Sequence, residues 1–196
     1  MIWWLKARRI HTVLAPVCLL FLLLLSMARP WTATLPSLAG GSASVRLLIF
    51  LPVPLVAALH HTLTCRLPEA EWRPERPVRR MDLTLVLAVV LFAALAGLTI
   101  GALAPSADSG AYAVGRNTAF LTGLMLIAHG LFPQAAPAVP IGWVFLSVFL
   151  GSDAYRNPRF WSVLEHSATH PVALAQSAAA LIAGVFVLLL VRPPTP

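Results

Sequence analysis

The sequence predicts an all-α polytopic membrane protein, a six-helix transmembrane bundle with short interfacial helices, and three observations carry that reading. Six apolar stretches, at about 10–27, 45–63, 83–103, 118–132, 138–150 and 172–191, take up more than half of the 196 residues. With 59% hydrophobic and only 11% charged residues, and a mean hydropathy of +0.82, there is too little polar surface to cover a soluble globule of this size. The basic residues gather between the apolar stretches and form no continuous basic face, so the formal charge of +7 points to membrane orientation and not to nucleic acid.

Taken in order, Ile2, Trp3, Trp4 and Leu5 followed by Lys6, Arg8 and Arg9 make a short amphipathic piece. Its indoles suit the headgroup layer and its cations suit anionic lipid along the inner surface. The stretch 10–27 carries the texture of a signal peptide, yet its length and the five similar stretches after it predict a retained span. A span needs about 20 residues to cross a core of about 30 Å, and the first, second, third and sixth stretches meet that. Pro52 and Pro54 fall inside the second and predict a kink.

The third span holds Ala93, Gly97 and Gly101 in a small-xxx-small row, and the sixth holds Ala173, Ser177, Ala180 and Gly184. Either row serves packing within the bundle or the seam of a dimer. The fourth and fifth stretches are short and joined by a proline-rich link at 133–140. They read as a tight helical hairpin, the fourth extended upstream to about Ala111 and the fifth to Ala135, or as two halves of a re-entrant element.

Between the second and third spans lies an inner loop at 64–82. Within it 67–74 permits one helical turn from Pro68, and Trp72 stands among Glu69, Glu71, Arg73 and Arg76, the composition of a docking anchor or of an indole held in headgroups. On the other side, at 151–171, Asn157-Pro158 reads as a helix cap followed by proline at the first helical position. A short interfacial helix then has Phe160, Trp161 and Leu164 on one face; a solvated loop is the alternative.

Counted over six spans, nine basic residues (Lys6, Arg8, Arg9, Arg66, Arg73, Arg76, Arg79, Arg80, Arg192) fall on one side and five (Arg29, Arg46, Arg116, Arg156, Arg159) on the other. The richer side is the cytoplasmic one, which places both termini in the cytoplasm and the protein in the cell membrane, the inner one where there are two.

Function classes narrow by what is missing from mid-membrane. The seven acids, Glu69, Glu71, Glu75, Asp82, Asp108, Asp153 and Glu165, all avoid the middle of a span, which argues against ion-coupled carriers and membrane metalloproteases. Thr118, Thr122, Met125 and His129 recur at helical spacing as a polar stripe able to line a pathway, or else His129 sits at the water boundary bonded to a carbonyl. His60 and His61 project about 100° apart and cannot share a metal from one helix. Cys18 and Cys65 give no pairing pattern. No nucleophile elbow, nucleotide loop or paired carboxylates occur, so neither enzyme activity, cofactor nor metal is expected.

Taken together, Trp3-Trp4 with Arg8-Arg9, the run Glu75 to Asp82 opening the third span, Gly115-Arg116-Asn117 opening the fourth and Phe160-Trp161 ahead of the sixth resemble the layout of a small permease subunit of an ABC exporter, of the type-two permease kind found in GC-rich actinobacteria. The resemblance implies that two such subunits, a homodimer or a heterodimer with a second permease, line a path for a hydrophobic or amphiphilic peptide, lipid or small molecule. It also implies that a separate cytoplasmic ABC ATPase docks on Glu69, Glu71, Trp72, Arg73 and Arg76. The competing expectation is a non-transporting assembly or immunity protein that binds another membrane complex.

Overall fold

The computed structural model describes residues 8, 10–27, 31–36, 42–65, 78–103, 110–153 and 157–190. The chain enters through a π-helical turn at Ile10–Leu14, which runs into α1 (Ala15–Met27). A small antiparallel hairpin follows, β1 (Thr32–Pro36) against β2 (Ser42–Arg46), with Thr32 opposite Arg46 and Pro36 opposite Ser42. The Leu47 amide closes its base on the Trp31 carbonyl at 3.2 Å. A 3-10 turn at Leu47–Ile49 leads to α2 (Pro52–Thr64), and then come α3 (Val78–Leu103), α4 (Gly110–Leu131), α5 (Ala138–Leu150) and α6 (Pro171–Leu190).

Four of these segments, Ile10–Met27, Leu47–Thr64, Val78–Leu103 and Pro171–Leu190, are long and apolar enough to cross a membrane by length and composition. With 13 residues, α5 reaches only about 20 Å. The 22 residues of α4 reach about 33 Å, but α4 is too polar to stand with those four.

Three sequence expectations are corrected. The stretch 45–63 is not helical from its start, because 42–46 pairs as a strand and the helix opens at Pro52. Pro52 and Pro54 therefore occupy the first and third helical positions, whose N–H groups have no intrahelical acceptor to lose, and the predicted kink has no cause. The interfacial helix expected after Asn157 is replaced by turns. The Asn157 amide donates to Asp153 Oδ1 at 2.9 Å and the Arg159 amide to the Gly151 carbonyl at 2.7 Å, so the chain doubles back across a Ser152–Pro158 bridge where the helix was expected to start. Phe160 is 75% exposed while Leu164 is 3% exposed, so these two do not share a face.

Glycine contacts fix the directions of packing. A Cβ on Gly97 would come within 2.5 Å of the Ala111 carbonyl, and one on Gly101 within 2.7 Å of the Tyr112 ring; the end of α3 thus lies against the beginning of α4, antiparallel. A Cβ on Gly123 would strike the Ala180 backbone, and one on Gly184 would sit 2.7 Å from the Gly123 carbonyl and 2.9 Å from Leu126 Cβ. Those matches rise together along both chains, so α4 and α6 run parallel, as close as backbones without side chains allow. The helix α4 also packs on α2 and α5. Fourteen of its 22 residues are buried, against three of 20 in α6, which makes α4 the core of the bundle.

Many of the large side chains left open are apolar. They include Leu19 and Leu23 on α1, Leu87, Leu91, Leu95 and Leu98 on α3, and Ile182, Phe186 and Leu190 on α6. A contiguous apolar shell of this extent is what lipid covers.

Candidate functional site

The stripe predicted on the fourth span lies on the central helix. Thr118, Thr122 and Met125 are fully buried. The Thr118 hydroxyl donates to the Val114 carbonyl at 2.8 Å, the usual way a threonine satisfies itself in a helix. Thr122 Oγ1 is buried with no hydrogen-bond partner among the described residues. One turn further, His129 is half-buried and its ring meets the edge of His60 at 5.4 Å between centroids.

His60 in turn donates from Nε2 to the Pro133 carbonyl, 3.2 Å away, which ties α2 to the link between α4 and α5. Its neighbour His61 is exposed and stands 3.5 Å from Cys65 Sγ, so the two histidines do point apart. The pairing of His60 with His129 was not legible in sequence, where 69 residues separate them. Among the described residues no group of three His, Cys, Asp or Glu side chains is placed to hold a metal ion.

At the end of the bundle where α2 finishes and α3 begins, Arg8 is 1% exposed. Its Nη2 pairs with Asp82 Oδ2 at 2.9 Å, and Nη1 donates to the carbonyls of Leu63, Thr62 and Cys65. A cation at the C-terminal end of α2 meets carbonyls that have no partner in their own helix and the negative end of the dipole. This corrects the surface role expected of Arg8, which is withdrawn from the headgroup layer and joins the end of α2 to the start of α3. The sequence signal was Asp82 itself, a single acid following Arg79 and Arg80 at the opening of a span. Arg79 is exposed and donates to the Leu189 carbonyl at 2.6 Å, tying α6 to the same end.

At the opposite end Arg116 is 7% and Asn117 3% exposed. The Arg116 guanidinium donates to the carbonyls of Val163 and His166, both at 2.9 Å, to that of Ser167, and to Asn117 Oδ1 at 3.0 Å. Asn117 Nδ2 donates to the Leu164 carbonyl at 3.4 Å. The segment 157–170 is in this way held over the start of α4 through its own backbone, with Ser162, Val163 and Leu164 buried beneath it. Within the segment the turns close on short-range bonds, the Ser162 amide donating to the Arg159 carbonyl at 2.9 Å and the Glu165 amide to the Ser162 carbonyl at 3.2 Å. A Phe120, Trp143, Trp161 relay of edge-on rings at 5.5 and 6.2 Å joins α4, α5 and this segment.

Gly97, Gly101, Ala180 and Gly184, predicted as packing positions, all face α4 of the same chain. Gly123, the partner of Ala180 and Gly184, went unnoticed in sequence. Glu69, Glu71, Trp72, Arg73 and Arg76 lie outside the described residues, as does the N-terminal amphipathic piece apart from Arg8. Compared with family models, curated proteins and solved structures, the chain matches none.

Proposed function

We propose that this chain is a permease subunit of an ATP-driven ABC exporter, embedded in the cell membrane by six spans with both termini in the cytoplasm. In this reading α4 is the path-lining element. The observation that carries it is Thr122, whose hydroxyl is buried in the packed centre of the bundle without a partner among the described residues. A buried unsatisfied hydroxyl costs about 1–3 kcal/mol, and that cost is removed when neighbouring helices part and admit water or a polar group of a substrate. The apolar shell supplied by α1, α3 and α6 suits lipid, and an amphiphilic or hydrophobic substrate suits a path without deep charges. Two copies, or one copy with a second permease, complete the path, and the ATPase docks on the inner loop at 64–82 through Glu69, Glu71, Trp72, Arg73 and Arg76.

A specific observation favours the alternative of a non-transporting assembly or immunity subunit. Thr118, Thr122 and Met125 are closed off from solvent within a single chain, as in a rigid bundle. Purification of the full chain from its native membrane in mild detergent, with identification of co-purifying proteins, separates the two. Recovery of an ABC ATPase in stoichiometric amount is the expected result; recovery of a different membrane complex, with no ATPase, overturns the exporter in favour of the alternative.

A further inference from the structure

The segment 157–170 holds a set of titratable groups that the exporter reading does not use. The His166 and His170 rings stack at 4.1 Å between centroids and 17° between planes, and His166 Nε2 donates to the Arg159 carbonyl at 3.2 Å. Arg116 of α4 holds the His166 carbonyl from below. Glu165 is half-buried beside them, and the other acid nearby, Asp153, accepts the Asn157 amide. Arg159 is exposed, and α6 contributes no charged side chain along its described length.

We propose that 157–170 is a proton-sensitive cap on the outer end of α4, which closes onto Arg116 and Asn117 when Glu165 is protonated and loosens when Glu165 ionises, with His166 acting in the opposite sense. The geometry supports release, because Arg116 and Asn117 grip the cap through backbone carbonyls that water can serve equally well when the cap lifts.

Burial raises the Glu165 carboxyl from 4.5 to about 7. The closed cap therefore holds this proton better than an open one does. The stabilisation is fully present below 4.5 and is lost as pH rises through about 7. His166 is displaced downward from 6.5, first by burial, then by the charges of His170 and Arg116, against a raising contribution from the bond to Arg159. Its contribution to closure is present above 6.5 and lost as pH falls through its lowered value. Below 6.5 the two groups oppose each other; between 6.5 and about 7.5 Glu165 acts nearly alone. Each unit of displacement corresponds to a tenfold change in the closed-to-open ratio.

A nitroxide on Phe160→Cys, in the full chain with Cys18→Ala and Cys65→Ser and reconstituted in lipid nanodiscs, reads cap mobility by its spectrum at any pH. The mobile fraction is expected to increase severalfold between pH 6 and 8 with a midpoint near 7. Glu165→Gln abolishes that increase and exposes the opposite one, a gain in mobility as pH falls below 6.5. Adding His166→Gln to Glu165→Gln flattens the profile. A label on Leu131→Cys, at the other end of α4, stays unchanged throughout. An unchanged wild-type spectrum from pH 5 to 9, a wild-type profile that persists in Glu165→Gln, or an equal response at Leu131 overturns the proposal.

Discussion

The helices α4 and α6 lie parallel and in contact, yet they solve opposite problems. In α6 only Ala173, Ser177 and Gly184 are buried, and the rest of the helix is nearly continuous apolar surface. In α4 fourteen residues are buried, among them Arg116, Asn117, Thr118 and Thr122. A helix facing lipid must be apolar because no solvent there satisfies a polar group, whereas one ringed by protein can carry polar side chains if its neighbours supply partners. Hydropathy thus marks which helices face the surroundings, and α4, too polar to stand with the four candidate spans, is the one buried deepest.

The strongest way to break this rule is to leave a charge buried without its partner. Arg8→Met removes the guanidinium that pairs with Asp82 Oδ2 where both side chains are almost wholly enclosed, and the expected loss is about 3–5 kcal/mol. The pair Arg8→Met with Asp82→Leu should recover most of that, because both charges then leave together. Thermal unfolding of the purified chain in detergent measures each. A double variant no better than the single one would mean that the carbonyl bonds from Arg8 to the end of α2, not the ion pair, hold this end together.

A matched truncation sharpens the comparison between centre and shell. Leu121 on α4 is 0% exposed and Ile182 on α6 is 69% exposed. Leu121→Ala should cost about 2–5 kcal/mol through the cavity it leaves. Ile182→Ala should stay within about 0.5 kcal/mol, since lipid or detergent fills the space. Equal effects would remove the distinction between a protein-facing and a lipid-facing helix.

Glycine gives the next contrast. Gly123→Leu forces the α4 and α6 backbones apart, with an expected loss of about 1–3 kcal/mol. Gly142→Leu on α5 enters open space, with nothing within 4 Å of its Cβ, and should be close to neutral. If Gly123→Leu left the unfolding temperature unchanged, the close parallel seam would not be a stabilising contact.

Much of the helical layout was legible because apolar length is a property of each segment alone. The break between α4 and α5 was legible too, from the prolines at 133 and 137. The functional end-groups were not, because they depend on pairing across distance. Arg8 meets Asp82 across 74 positions and Arg116 meets Val163 across 47. The missing outer helix failed for the same reason: Asn157-Pro158 has good local capping chemistry, but the Asn157 amide is taken by Asp153 and the Arg159 amide by the Gly151 carbonyl. Gly123 was passed over because a glycine explains itself only once the opposing backbone is known.

The smallest expected effect tests the pathway reading within α4 itself, through two threonines one turn apart. Thr118 satisfies its hydroxyl on Val114, so Thr118→Val removes a bond and should cost about 0.5–1.5 kcal/mol. Thr122 has no partner for Oγ1 among the described residues, so Thr122→Val removes only an unsatisfied group and should raise stability by about 0.5–1 kcal/mol. Opposite signs at adjacent turns of one buried face cannot come from helix propensity, which is nearly the same for both changes. If Thr122→Val stabilises the chain while export or coupled ATP hydrolysis falls, the hydroxyl is retained for a state in which the bundle opens. If it stabilises the chain and leaves activity untouched, α4 is a packed core and the path lies elsewhere.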